Sequence, residues 1–145
     1  IKIFNQEIHI KGPQQIKRIN HIVTKEYDGF PTDLQSIFMV LLCKAKGRSS
    51  ITENIFKSRF MHAMELQRLG AKISIKNNKA TIEGNTNFIG AEVMSSDLRA
   101  SAALILAGIS AKGTTVVSRV YHCDRGYEKI ENKLKKIGAK IRRIN

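Results

Sequence analysis

The sequence predicts an α/β protein assembled from repeated βαβαββ units, with the first helix of each unit packed inside a shell of sheets. Three observations carry this expectation. Two runs, Ile37-Phe38-Met39-Val40-Leu41-Leu42-Cys43 and Leu98 to Ile109, are too apolar for surface helices. A helix that is hydrophobic all round is buried all round, and neither run approaches the roughly 20 residues needed to cross a bilayer. The runs also belong to a repeat. Asp33 and Asp97 stand 64 residues apart, Lys46-Gly47 and Lys112-Gly113 66, Arg59 and Arg125 66, and Leu69–Ile73 and Ile137–Ile141 68. Lastly, short alternating stretches bounded by turn residues flank both runs, as strands do.

The elements follow in order. Ile1–Phe4 and Glu7–Lys11 alternate around Asn5-Gln6 and read as a hairpin ended by Gly12-Pro13. The pattern returns 72 residues later, with Asn5 against Asn77, Ile10 against Ile82 and Gly12 against Gly84. Residues 1–18 are therefore expected to close a preceding repeat whose front half is absent, 19–90 to form one unit and 91–145 the final one. The middle unit predicts a strand over 19–24, a turn at Tyr27–Pro31, and a buried helix Asp33–Ala45 stopped by Gly47. A strand Ser50–Phe56, an amphipathic helix Met61–Leu69 stopped by Gly70, and a hairpin of Ala71–Lys76 with Ala80–Glu83 complete it. The final unit predicts a strand over 91–94, a buried helix Asp97–Ala111 and a strand Thr114–Arg119. A loop Tyr121–Tyr127, a helix Glu128–Ile137 and a strand Ala139–Ile144 follow. The repeat distance falls from 72 to 64 ahead of Asp33, so the middle unit carries about eight extra residues there. A longer loop in front of a buried helix is a natural place for function.

Composition sets outer bounds. Charged residues make up 26% and apolar ones 42%, as in ordinary globular domains. The net charge of +13 admits nucleic acid, anionic surfaces or small anionic substrates as partners, or simply a solvated basic surface. Cys43 lies in an apolar run and Cys123 beside Asp124, which suits a reducing cytoplasm and no disulfide framework. His9, His21, His62 and His122 show no metal spacing, and neither a glycine-rich phosphate loop nor a Ser/His/Asp ordering stands out.

The residues able to do chemistry recur at matched places. Asp33 and Asp97 begin the buried helices, Arg59 and Arg125 follow the next strand, and Arg99 falls in a helix first turn. An aspartate before an apolar helical run is ordinarily an N-cap, and Ser96 or Asp97 fits that role. Arg99 cannot enter an apolar core, so it is expected to point back out of the first turn. Three arginines and a carboxylate near helix N-termini can grip a small dianion or trianion bidentately.

Four motifs sharpen this. Phe30-Pro31-Thr32-Asp33-Leu34-Gln35, Ile51-Thr52-Glu53-Asn54-Ile55-Phe56-Lys57-Ser58-Arg59-Phe60-Met61-His62, Asp97-Leu98-Arg99-Ala100-Ser101 and Tyr121-His122-Cys123-Asp124-Arg125-Gly126-Tyr127-Glu128 occur in that order. In them the chain resembles the UDP-N-acetylglucosamine 1-carboxyvinyltransferase family over essentially its whole length. The resemblance implies the inside-out α/β barrel of the enolpyruvyl transferases, two similar domains of three βαβαββ units each, with this chain the C-terminal portion of one domain. It implies transfer of the enolpyruvyl group of phosphoenolpyruvate to the 3-hydroxyl of UDP-N-acetylglucosamine. That is the first committed step of peptidoglycan synthesis, hence of cell wall, cell shape and division, in the cytoplasm and without metal or cofactor.

The resemblance also implies roles. Asp33 would contact the acceptor hydroxyl and serve as general base. Ile55 would contact the UDP-sugar through its backbone. Arg59 and Arg99 would lie near the phosphoenolpyruvate carboxylate, and Arg125 would hold the phosphate from a closing loop. Asp97 would orient the cationic groups. The family's reactive loop cysteine, its N-terminal lysine–asparagine pair and the other half of the cleft have no counterpart here, and Cys43 and Cys123 do not match that cysteine's context. Part of the site is thus expected from a missing N-terminal portion, and the chain alone is expected to be inactive. Two alternatives stand beside this reading. One is 3-phosphoshikimate 1-carboxyvinyltransferase, which shares fold and donor. The other is a basic nucleic-acid-binding module built on Lys133, Lys135, Lys136, Lys140, Arg142 and Arg143, which no aromatic stacking platform supports.

Overall fold

The computed structural model describes residues 1–144. Its elements follow the expected alternation: β1 (Lys2–Phe4), β2 (Glu7–His9), β3 (Ile22–Val23), α1 (Gln35–Lys44), β4 (Arg48–Thr52), α2 (Met61–Arg68), β5 (Lys72–Lys76) and β6 (Lys79–Glu83). After them come β7 (Glu92–Met94), α3 (Leu98–Ile109), β8 (Val116–Ser118), α4 (Tyr121–Asp124) and α5 (Ile130–Lys136). The matched stretches fold alike. β3 and β4 are parallel and joined through α1, and β7 and β8 are parallel and joined through α3. β4 also pairs antiparallel with β6, and β6 with β5, giving a four-stranded sheet in the order β3-β4-β6-β5. The entry to each unit repeats as well, since Lys17 bridges Lys46 and Ile89 bridges Lys112.

One hydrophobic core runs through both stretches. It gathers Met39, Leu42 and Cys43 from α1, Leu66 from α2, Ile51 and Ile82 from the sheet, and Ala103, Leu104 and Ala107 from α3. α1 and α3 pack directly on each other. Burial places the Cys43 thiol at a pKa of about 12, so it is an inert core group. The apolar helices are not covered on every side as expected. Leu41 of α1 and Leu106 and Ile109 of α3 remain exposed, because sheet and helix neighbours among the described residues cover the opposite faces only. β1 and β2 form the expected hairpin, turned by Asn5 at φ +46°, yet all six strand residues are exposed.

Four further expectations are corrected. The strand over Ser50–Phe56 is β4, Arg48–Thr52, and ends before Glu53. Asp33 lies in a single 3-10 turn, Thr32–Leu34, ahead of α1, whose N-cap is Leu34, so Asp33 caps nothing. The loop Tyr121–Tyr127 contains the one-turn helix α4. Residues 139–144 form no strand. An isolated strand leaves its N–H and C=O groups unpaired, and among the described residues no strand pairs with this stretch. By contrast, the equivalent β5 has β6 as partner.

Tight approach of backbones fixes the turns at the ends of the sheet. A Cβ on Gly84 would run into the carbonyl oxygens of Ala45 and Gly47 at the end of α1. Gly84→Ala should therefore destabilise the protein by about 3 kcal/mol or more. Thermal unfolding of the variant checks this, and an unchanged melting temperature would show that the connection yields freely.

Candidate active site

The site forms where the 3-10 turn ahead of α1 meets the first turn of α3. Asp97 is extended at φ −163°, and its Oδ1 accepts from the backbone N–H groups of Arg99 at 2.8 Å and Ala100 at 3.0 Å, as an N-cap does. Partial burial pushes its carboxyl up, but these N–H groups and the Ser96 hydroxyl outweigh that and hold it below its ordinary value. With the helix start pinned, Arg99 points back out of the core as expected. Its Nε donates to Asp33 Oδ1 at 2.8 Å, and Arg59 Nη2 stands 3.4 Å from the same oxygen. The hydrogen bond from Arg99 keeps the Asp33 carboxyl below the usual carboxylate range; burial pushes the other way, and the charges of Arg99 and Arg59 add smaller downward pulls.

Arg59 is held from behind by residues whose role composition and spacing do not reveal. Its Nη1 donates to Thr32 Oγ1 at 2.8 Å, and the Thr32 hydroxyl in turn donates to Glu53 Oε2 at 2.8 Å. The Phe56 ring lies 4.5 Å from the guanidinium carbon, a cation–π contact. Glu53, only 2% exposed, also accepts from the Thr24 hydroxyl and from the backbone N–H groups of Ile55 and Phe56. These bonds end β4. They turn the chain so that Ile55 and Phe56 face the site instead of extending the strand.

The result is a cleft of about 350 Å³ lined by Lys25, Glu26, Pro31, Thr32, Asp33, Ile55, Phe56, Arg59 and Arg99. This is the size range of small-ligand sites. Three cationic side chains line it against two acidic ones, so it is biased toward anions. Beneath it a niche of about 10 Å³ is lined by Gln35, Ser36, His62 and Asp97 together with Thr32, Arg59, Arg99 and Ala100. The structure thus brings Asp33, Ile55, Arg59 and Arg99 together, with Asp97 directly behind. It does not bring in Arg125, which lies in the exposed turn after α4, outside both spaces. Thr32, Glu53 and Phe56 all fall within the motifs quoted above. The signal that could have exposed Glu53 is an acidic residue directly after the β-branched run Ile51-Thr52. Among the described residues, no group of three or more His, Cys, Asp or Glu side chains is placed to hold a metal ion. No described helix is long and apolar enough to cross a membrane.

Two predictions follow from this packing. Glu53→Gln keeps the shape but sets an amide NH2 against donors, and should cost about 1–3 kcal/mol of stability. Calorimetric or denaturant unfolding measures it, and a neutral result would mean the four donors find other partners. His62 is buried and neutral, its pKa lowered to about 4 chiefly by desolvation, with Asp97 opposing and Arg59 adding to the shift. Between about pH 6.5 and 4 the unfolded chain takes up a proton that the folded one refuses, so stability falls as pH falls through this window. The loss should reach on the order of 3 kcal/mol, and His62→Gln should flatten that stretch of the melting profile. Parallel profiles for both proteins would overturn this assignment.

Comparison with known proteins agrees with the geometry. The family described as EPSP synthase (3-phosphoshikimate 1-carboxyvinyltransferase) matches residues 3–134. A Pelagibacter ubique protein named UDP-N-acetylglucosamine 1-carboxyvinyltransferase is 61% identical over the whole chain, which covers 34% of that protein. Proteins of the same name from Geobacter metallireducens and Helicobacter pylori (strain Shi470) are 53% and 55% identical over 99% and 91% of the chain, covering 35% and 31% of their lengths. The chain therefore spans about a third of the curated relatives it matches. Among solved structures, the enolpyruvyl transferase NikO from Streptomyces tendae superposes with a TM-score of 0.83 at 29% identity, over 90% of this chain and 30% of that one. An EPSP synthase from Acinetobacter baumannii shares the fold, at a TM-score of 0.52 and 21% identity over 59% of this chain and 21% of that one. With its mixed α/β fold and a family match across nearly its whole length, the chain belongs to the EPSP synthase family of enolpyruvyl transferases.

Proposed function

We propose that the protein containing this chain transfers the enolpyruvyl group of phosphoenolpyruvate to the 3-hydroxyl of UDP-N-acetylglucosamine and releases phosphate, in the cytoplasm, as a step of peptidoglycan synthesis. Residues 19–90 and 91–145 are two units of one domain, 1–18 the end of a third. Residues outside this chain close the cleft, so this chain alone is inactive. The observation that carries the reading is the shared carboxylate. Asp33 is held between Arg99 and Arg59 at the mouth of an anion-biased cleft, in a chain 51–61% identical to relatives of that name.

The geometry suits an addition–elimination. Two guanidiniums in fixed positions stabilise the carboxylate of an enolpyruvyl donor and the charge that develops beside it. Asp33 paired with Arg99 is a weak base, since its carboxyl is held low and an effective base titrates near the working pH. A substrate anion that competes for Arg99 and Arg59 loosens that pair and restores the basicity of Asp33. The carboxylate then takes the proton of the acceptor hydroxyl as that oxygen attacks the protonated donor. Loss of a methyl proton and of phosphate completes the exchange. Ile55 offers its backbone to the sugar nucleotide, Asp97 keeps Arg99 in place, and Arg125 reaches the phosphate when the cleft is filled.

The shikimate-phosphate alternative has less support, given 21% identity to the A. baumannii EPSP synthase against 61% to the P. ubique protein. The basic-module alternative has less too. Within its cluster Lys133 stands 3.7 Å from Glu128, and Arg143 is taken up by Asp124 and Glu131.

Asp33→Asn in the full-length protein tests the proposal. An amide accepts a hydrogen bond from Arg99 but takes no proton. Phosphate release with UDP-N-acetylglucosamine as acceptor should fall by about two orders of magnitude or more, with melting unchanged. Turnover within a few-fold of the parent would remove Asp33 from the chemistry. Turnover with shikimate 3-phosphate in place of the sugar nucleotide would reassign the acceptor.

A further inference from the structure

The segment that carries Arg125 is bracketed by two non-glycine residues in the left-handed region, Arg119 at φ +56° and Lys129 at φ +43°. Side chains with a Cβ persist there only where the surroundings over-determine the backbone. Around this segment one guanidinium does so. Arg143 Nη1 donates to Asp124 Oδ2 at 2.9 Å and its Nη2 to Asp124 Oδ1 at 2.6 Å, and the same Nη2 reaches Glu131 Oε2 at 3.3 Å. Asp124 is the last residue of α4, inside the bracket, and Glu131 belongs to α5, just beyond Lys129. Arg143 therefore ties together the two sides of the second left-handed residue.

The segment also rests on the start of α3, one residue before Arg99. Gly126 packs so closely on the first residue of α3 that an added Cβ would lie 2.9 Å from Leu98 Cδ2. Arg125 thus sits between Asp124, clamped by Arg143, and Gly126, packed on Leu98.

We infer that Arg143 is a positioning residue for Arg125, its clamp on Asp124 and Glu131 setting the turn that carries Arg125 past the start of α3. The inference rests on the proposed role of Arg125 as a holder of the donor's phosphate. A bidentate guanidinium–carboxylate pair fixes orientation as well as distance, and small misplacements of a binding group are costly in enzymes.

A double-mutant cycle in the full-length protein tests it, with phosphoenolpyruvate as the varied substrate. Arg143→Ala should raise KM for phosphoenolpyruvate about tenfold while kcat stays within about threefold and melting changes by a few degrees at most. In an Arg125→Ala background the same change should add less than about twofold, because the two residues act through one contact. A KM for Arg143→Ala within twofold of the parent, or an effect that multiplies undiminished onto Arg125→Ala, overturns the inference and leaves the role of Arg125 standing. If Arg125→Ala itself leaves both constants unchanged, the role of Arg125 falls and the inference with it. Should Arg143→Ala fail to fold, Asp124→Asn removes the clamped charge at constant shape and is read in the same cycle with the same two outcomes.

Discussion

The close approach of α1 and α3 at their N-terminal turns is the constraint on which the rest of this structure depends. Ser36 in the first turn of α1 donates its hydroxyl to the backbone carbonyl of Arg99 in the first turn of α3, at 3.1 Å. α3 can lie this deep because much of its buried surface is small, with Ala100, Ser101, Ala102, Ala103 and Ala107 all inside. Once the two helix starts are abreast, the side chains leaving them must meet. Asp33 and Arg99, 66 residues apart, form their ion pair as a consequence of core packing. Packing brings the charges together, and the charges then hold an open cleft that the apolar core could not form.

Behind that pair lies Glu53, a buried carboxylate with four hydrogen-bond donors around it. A buried charge is costly unless its lone pairs are used, and Glu53 uses them on two hydroxyls and two backbone N–H groups. Through Thr32 this carboxylate fixes Arg59. Groups held in this way need no rearrangement when a charge develops in front of them, which is what makes preorganised electrostatics effective. Asp33 and Arg99 are partly exposed, whereas Glu53 is not.

Much of this is legible in the residues and some is not, for physical reasons. The apolar runs mark both core helices, because periodicity reports burial directly. Asn5 and Asn77 mark their hairpin turns through their tolerance of positive φ. Asp97 reads as a cap and is one, and Arg99 reads as excluded from the core and is. Asp33 reads as a cap equally well, yet the 3-10 turn displaces it, and only the tertiary partner Arg99 explains where it goes. The premature end of β4 is invisible to strand propensity, because Ile55 and Phe56 favour a strand and the Glu53 side chain overrides them. The exposure of Leu41, Leu106 and Ile109 and the absence of a strand over 139–144 depend on which neighbours lie alongside. A single segment's pattern does not carry that information. Convergence of Arg59 and Arg99 was foreseeable from their places after a strand and in a helix first turn, and the distance of Arg125 from the cleft was not.

Asp33 and Asp97 descend from corresponding places in the two matched stretches, and the fold has given them separate work. Asp97 spends its carboxylate on its own helix, accepting from Arg99 and Ala100. Asp33 is lifted off its helix by the Thr32–Leu34 turn and spends its carboxylate across the interface, on the arginine that Asp97 anchors. A symmetrical pair of copies would offer two caps and no carboxylate left to pair with Arg99. Asymmetry in a connecting loop, and not a new residue type, is what turns a duplicated structural position into two different ones.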